Sequence, residues 1–325
     1  MMRLRWKRGL LTAAFVLGMV LAGGFLGRWY GPGPLEQDIA FVVPDGSTLT
    51  SVATKLESEG AIGSASAFLT RAKLLGSGDP IKAGEFLVPA GASPAGILDT
   101  LQHGKALRRV VAVPEGMPSI MVWDRLMAQP LLTGAIPVPA EGSLLPESYD
   151  FERGESRAAV VARMQKAMAN VLAEAWARRT PTTVAKTPQE ALTLASIVEK
   201  ETGKASERRM VAGLYSNRLR TGMLLQADPT IIYPITRGKP LGRRIRQSEI
   251  AAINDYNTYS MTGLPKGPIT NPGKASIEAV LNPAKTEALY MVADGTGGHV
   301  FASTLADHNA NVAKWFALRR ARGEI

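Results

Sequence analysis

Residues 9–27 (GLLTAAFVLGMVLAGGFLG) form an apolar run without a single charge. At 1.5 Å rise per residue a helix of that length spans roughly 28 Å, close to the thickness of bilayer hydrocarbon. Arg3, Arg5, Lys7 and Arg8 precede it. Positive residues on that side predict a cytoplasmic tail over 1–8, a transmembrane helix over 9–27 and an exported remainder. The expected location is the inner (plasma) membrane, crossed once, with Trp29 and Tyr30 at the far interface. The alternative is a cleaved signal peptide, for which Val20-Leu-Ala22 resembles a small-x-small site.

Beyond the linker Gly31-Pro-Gly-Pro34 the patterning is that of a globular α+β protein. Residues 40–43 (AFVV) read as a strand, Pro44-Asp-Gly46 as a turn and Ser47 or Thr48 as a helix cap. Leu49, Val52, Ala53 and Leu56 recur at helical spacing until Gly60, and a second helix is expected over 64–75. Lys82–Pro89 reads as turn plus strand. A long Ala-rich helix covers 156–178. The segments 288–293 and 299–303 form a hairpin around Asp294-Gly-Thr-Gly-Gly298, followed by a helix from about 305. That glycine-rich turn lacks the strand–turn–helix context of a phosphate loop.

Composition narrows the chemistry. With 325 residues and 46% hydrophobic content, two packed domains are expected rather than disorder. The absence of cysteine excludes disulfides, thiolate metal sites and a cysteine nucleophile. His103, His299 and His308 are scattered, so no His-rich metal site is expected. The net charge of +10 suits nucleic acid, an anionic membrane or an anionic polymer. Four of the positive charges belong to membrane topology, which weakens the nucleic-acid reading, and no nucleic-acid partner is expected.

The candidate chemistry lies on one helix. Thr187-Pro-Gln-Glu190 is a start signature with the spacing of a capping box, and Gly203 is a stop. Two acids, Glu199 and Glu201, close this helix nearly opposite one another. Glu201 continues the stripe of Leu194, Ile197 and Val198, whereas Glu199 falls beside Leu192 and Ala195. Desolvation and the negative end of the helix dipole would both raise the Glu201 pKa, as a general acid requires. The competing reading makes Glu201 a boundary residue in a salt bridge with Arg208 or Arg209.

The run Leu194-Ala-Ser-Ile-Val-Glu-Lys-Glu-Thr202 closely resembles the signature of the YceG-like endolytic murein transglycosylases. So do Glu141–Tyr149, Ser206-Glu-Arg208, Tyr215–Leu219, Leu225–Thr230, Tyr256-Asn-Thr-Tyr259, Thr262–Pro265, Asn271-Pro-Gly273, Pro283-Ala-Lys285 and Val292–Gly295. Leu145 stands where this family often has an aromatic residue. The resemblance spans nearly the whole chain and implies that Glu201 is catalytic. It implies a lytic transglycosylase that cleaves the MurNAc–GlcNAc bond within nascent strands, leaves 1,6-anhydroMurNAc ends and limits strand elongation. It also implies a catalytic domain over 105–325, peptidoglycan as substrate, no metal or cofactor, and cell-wall synthases as partners. Residues 36–104, through Val43–Leu49 and Ala83–Pro89, resemble a LysM-like domain, which implies binding of N-acetylated glycans; a small α+β spacer is the alternative.

The candidate substrate-binding residues are Glu147, Asn217, Gln226, Asp228, Thr230, Tyr256, Asn257, Thr258 and Tyr259. Amides and hydroxyls in the 226–230 segment can bond sugar hydroxyls, and Tyr256 to Tyr259 offer stacking faces. Turn chemistry at Asp228-Pro229 and a tyrosine-rich packed loop are the corresponding structural readings. The basic run 237–247 could meet a phosphate or be a solvated loop. Two rival functions remain: a muramidase using water and a second carboxylate, Glu147 or Asp228, and a non-catalytic wall-binding scaffold.

Overall fold

The computed structural model describes residues 2–325, with the side chains of residues 2–8 and 10 outside the described set. The expected cationic tail therefore lies outside the described side chains. The chain divides into two compact units, Met1–Arg109 and Val110–Ile325.

In the first unit, α1 (Met2–Tyr30) contains one stretch, Leu11–Tyr30, long and apolar enough to cross a membrane. A membrane anchor and a signal sequence both satisfy that test. Tyr30 is exposed, but Trp29 does not sit at an interface as its position suggested. It is buried in the core of the unit with its ring 5.6 Å from that of Phe68. The apolar helix thus runs on past the uncharged segment, and its last turn becomes part of a folded core. Then follow β1 (Ile39–Val43), α2 (Leu49–Ser58), α3 (Ala65–Leu75), β2 (Gly84–Val88) and α4 (Pro94–His103). Thr48 caps α2 in a reciprocal pair with Ser51, and Ser64 caps α3. The strands pair antiparallel with Phe41 opposite Phe86, and both rings are buried against Leu56, Ile97 and Leu101. The helix α4 carries no strong apolar run in sequence; Ser93 starts it by accepting from Gly96 N at 3.1 Å.

The second unit is built around one buried helix. Strand β3 (Arg108–Ala112) crosses the boundary and pairs with β4 (Ser148–Glu152); α5 (Ser119–Met127) lies between them in sequence. Next come α6 (Arg157–Ala177), α7 (Pro188–Glu201), α8 (Arg208–Thr221), α9 (Asp228–Thr236), the single turn α10 (Gln247–Ile250) and α11 (Lys274–Leu281). An antiparallel hairpin of β5 (Tyr290–Ala293) and β6 (His299–Ala302) precedes α12 (Leu305–Ala321). Thr187 caps α7 by accepting from Glu190 N at 3.1 Å, but the reciprocal half of the expected capping box is absent. Glu190 instead accepts from Lys186 N, one residue earlier, at 2.6 Å.

The helices α6, α8, α9 and α11 all contact α7. Every residue from Ala191 to Val198 is consequently buried, including Leu192 and Ala195 on the Glu199 side. Burying each of Leu194, Ile197 and Val198 contributes about 1.5–3 kcal/mol. The polar residues on α7 hold the following loops: Ser196 Oγ accepts from Ile269 N at 3.0 Å and Glu199 Oε2 from Gly273 N at 2.9 Å. Gly213 lets α8 pass close to the 284–286 segment, since a Cβ there would fall 2.6 Å from the Ala284 carbonyl oxygen. Leu145 is buried in this core, so the residue that departs from the family pattern packs as an aliphatic filler.

Candidate active site

The two acids that end α7 have different partners. Glu199, whose side chain is 5% exposed, is ion-paired with Arg208 at 3.5 Å besides its bond to Gly273 N. Arg208 also reaches Glu115 at 2.9 Å, and Arg209 bonds Asn282. The salt bridge that competed for Glu201 therefore belongs to Glu199. Burial alone does not separate the acids, because both faces of α7 are covered; their partners do.

Glu201 keeps some accessible surface, but its Oε1 is enclosed and has no hydrogen-bond partner among the described residues. Burial pushes its carboxyl up to about 7; the Tyr215 hydroxyl opposes the rise, the Asp228 charge adds to it and Arg218 draws it back. Tyr215 and Arg218 lie one turn apart on α8, and Asp228 opens α9. Arg218 is fixed by donating to the carbonyls of Leu289 at 2.7 Å, Leu225 at 2.7 Å and Leu224 at 3.2 Å. Tyr259 donates its hydroxyl to Asp228 Oδ1 at 2.6 Å. The Glu201 carboxyl is thereby set among a phenol, a guanidinium and a second, exposed carboxyl group.

The other candidate residues divide by what their polar atoms touch. Gln226 and Asp228 are exposed beside Glu201's neighbours, and Gln226 holds an unusual left-handed backbone, φ 53°. Its N–H is tied to the Thr258 carbonyl at 3.1 Å. Thr230 and Thr258 are fully buried and bond each other at 2.8 Å, fastening α9 to the 256–259 loop. Asn257 is also fully buried, donating to the carbonyls of Ile250 and Ala252 and accepting from Tyr259 N. Asn217 donates to the Thr286 and Ala288 carbonyls. These four hold backbone rather than face a cleft. Tyr256 is half-buried with its ring 4.8 Å from that of Tyr233. Glu147 is exposed immediately before β4, and its carbonyl accepts from Val113 N.

In the basic run, Arg243 pairs with Glu249 at 2.5 Å and Lys239 with Asp124 at 2.6 Å, so part of its charge is neutralised. Sequence reasoning passed over two members of the site. Tyr215 and Arg218 lay within a family-like segment, but nothing in their spacing distinguishes a residue facing Glu201 from one facing the core.

Comparison with known proteins adds the family. A model described as the YceG-like family matches residues 41–314. The chain belongs to the YceG-like family. Two relatives carry the name endolytic murein transglycosylase. The one from Streptococcus pneumoniae serotype 2 (strain D39) is 28% identical over 364 residues, covering 95% of this chain and 65% of the relative. The one from Bacillus subtilis (strain 168) is 33% identical over 187 residues, covering 57% of this chain and 50% of the relative. The chain spans less than two thirds of the length of either. A crystal structure of a yceG-like protein from Listeria monocytogenes superposes with a TM-score of 0.53 at 28% identity, covering 84% of this chain and 98% of that one. This YceG-like neighbour accords with the mixed α+β architecture seen here.

Proposed function

We propose that this protein is an endolytic murein transglycosylase with Glu201 as its single acid–base residue. The observation that carries the reading is the Glu201 carboxyl: its Oε1 is enclosed and unpartnered among the described residues, and burial raises the group to about 7. Such a group holds a proton near neutrality and can release it to a leaving oxygen.

Glu201 donates its proton to the glycosidic oxygen between MurNAc and GlcNAc as that C–O bond breaks. The substrate's N-acetyl group stabilises the positive charge developing at C1. Glu201, now ionised, takes the proton of the MurNAc C6 hydroxyl, whose oxygen bonds to C1 and closes the 1,6-anhydro ring. The carboxyl ends protonated, and no water is consumed. Arg218 stabilises the ionised intermediate state of Glu201, and Asp228, held by Tyr259, favours its reprotonation. Gln226 and Asp228 are placed to bond sugar hydroxyls, while Thr230, Asn257, Thr258 and Asn217 keep the walls in position.

The hydrolytic alternative gives Asp228 the part of second carboxylate, as its exposure beside Glu201 allows. In the full reading, α1 anchors the protein in the inner membrane with its N-terminus in the cytoplasm. Residues 36–104 are a LysM-like module that holds glycan, residues 105–325 cut it, and synthases act nearby. The test is cleavage of purified glycan strands by wild type, Glu201→Gln and Glu199→Gln. Loss of cleavage in the first variant alone supports the assignment; full activity in Glu201→Gln overturns it.

A further inference from the structure

A cavity of about 450 Å³ opens in the second unit, where the start of α5, the end of α7 and α9 meet the loop that follows α9. That volume lies in the range of small-ligand sites. Two of its wall residues adjoin the Glu201 group along the chain: Lys200 precedes Glu201, and Pro229 follows Asp228. Consecutive Cα atoms are about 3.8 Å apart, so the cavity borders the group that cuts the glycosidic bond.

Its floor is apolar, with Met117, Met121 and Ile232 among the lining side chains. Prolines, Pro118 and Pro229 among them, make up much of the wall and offer no N–H. No aromatic ring lines it among the described residues. A polyhydroxylated ring buried with few hydrogen-bond partners is costly, so the wall favours alkyl groups over a sugar. The charges at the rim are not equally free. Glu115 is held by Arg208 at 2.9 Å and Lys239 by Asp124 at 2.6 Å. Lys200 is exposed and forms no ion pair among the described residues; its Nζ reaches the Gly116 carbonyl at 3.4 Å. The outer wall is fixed. Gly238 has φ 82°, and a Cβ there would fall 2.9 Å from the Pro118 Cβ, so only glycine lets the loop fold this tightly against the start of α5. Thr236 Oγ1 donates to the Lys239 carbonyl at 2.7 Å and holds the turn.

We propose that this cavity receives the peptide branch that MurNAc carries on its lactyl group. The alanyl methyl and the glutamyl methylenes lie on the floor of Met117, Met121 and Ile232, and the free glutamyl carboxylate accepts from Lys200 Nζ. This rests on the reading of the site as glycan-cleaving. It makes the protein selective for peptide-bearing strands over bare ones.

The test uses the full chain in detergent micelles and three kinds of glycan strand. One bears its peptides, one bears peptides with the glutamyl carboxylate amidated, and one is peptide-free, so that its lactyl group ends in a carboxylate of its own. The readout is the ratio of kcat/KM between substrates, from which the folded fraction of a variant cancels. Burying about two more carbon groups is worth roughly tenfold and the carboxylate about fivefold more, so wild type should prefer peptide-bearing over peptide-free strands by about fiftyfold. Lys200→Met should cut that preference to about tenfold. Amidation should cost wild type the same factor and the variant nothing, since each change removes one half of the same pair. Met121→Trp, which fills the cavity, should bring the ratio near one. Equal cleavage of peptide-bearing and peptide-free strands by wild type would overturn the proposal, as would a Lys200→Met variant still sensitive to amidation. A Lys200→Met loss greater on peptide-free strands would put the lactyl carboxylate at the amine and overturn it too. Binding of the same strands to Glu201→Gln, with and without Lys200→Met, is measured alongside, with the same ratios expected. A wild type that makes no anhydro ends would defeat the transglycosylase reading, and the binding ratios would still decide the peptide site.

Discussion

Replacing Glu201 by Gln is expected to stabilise the protein while it removes the chemistry. Burial raises the carboxyl from its ordinary value of 4.5 to about 7 in the folded state. Between those values the folded state holds a proton that the unfolded state has released, so stability falls as pH rises through the window. The rise is worth about 3 kcal/mol once the pH exceeds 7. Glutamine has nearly the same shape and cannot ionise, so the variant lacks this loss. At pH 4.5 the two proteins should melt together. At pH 8.5 the variant should melt higher, by roughly 6–12 °C at 2–4 °C per kcal/mol for a unit of this size. Other titrating groups are common to both proteins and cancel in the difference. Thermal melts of the full chain in detergent at four pH values between 4.5 and 8.5 provide the assay. Parallel melting curves across the range, or a variant less stable at pH 8.5, would refute the argument that Glu201 is a desolvated acid.

The same titration governs activity: kcat/KM should be level below pH 7 and fall about tenfold per pH unit above it, as a pH–rate profile on glycan strands would show. Asp228→Asn removes a charge that raises Glu201 and should move this alkaline limb to lower pH; a limb that stays in place would contradict the coupling. Arg218→Lys keeps the charge but loses guanidinium bonds to three carbonyls, so the limb should remain while stability drops by about 2 kcal/mol in denaturant titration. Glu199→Gln breaks a buried pair with Arg208 and should cost about 1–3 kcal/mol, with most activity retained in the folded fraction.

Much of the frame was legible because its signals are local. Thr187 caps the helix it was expected to start, Thr48 is the cap of the two candidates Ser47 and Thr48, and the β5–β6 hairpin closes around the expected glycine-rich turn. The helix α9 was less so: Asp228-Pro229 resembles a turn, and Pro234 lies inside the helix. It persists because Thr230 and Ile231 are buried against the rest of the unit. The preference for Glu201 over Glu199 rested on one apolar stripe, yet α7 is covered all round. What distinguishes the acids is Arg208, which lies one loop away and takes Glu199. Glu141 shows the same limit. It stands six residues before Glu147 in a family-like segment, and only the Ser119 N–H and the Asn271 amide that reach its carboxyl mark it out. Long-range partners decide which carboxyl is enclosed, and periodicity carries no record of them.

The most direct test of the central claim is mass spectrometry of glycan strands digested by the full chain in water enriched in oxygen-18, with Glu201→Gln alongside. If Glu201 drives the transglycosylase reaction, internal products ending in 1,6-anhydroMurNAc carry no heavy oxygen, and the variant gives none. Reducing ends that carry one heavy oxygen would contradict it, making the protein a hydrolase that needs a second carboxylate, Glu147 or Asp228.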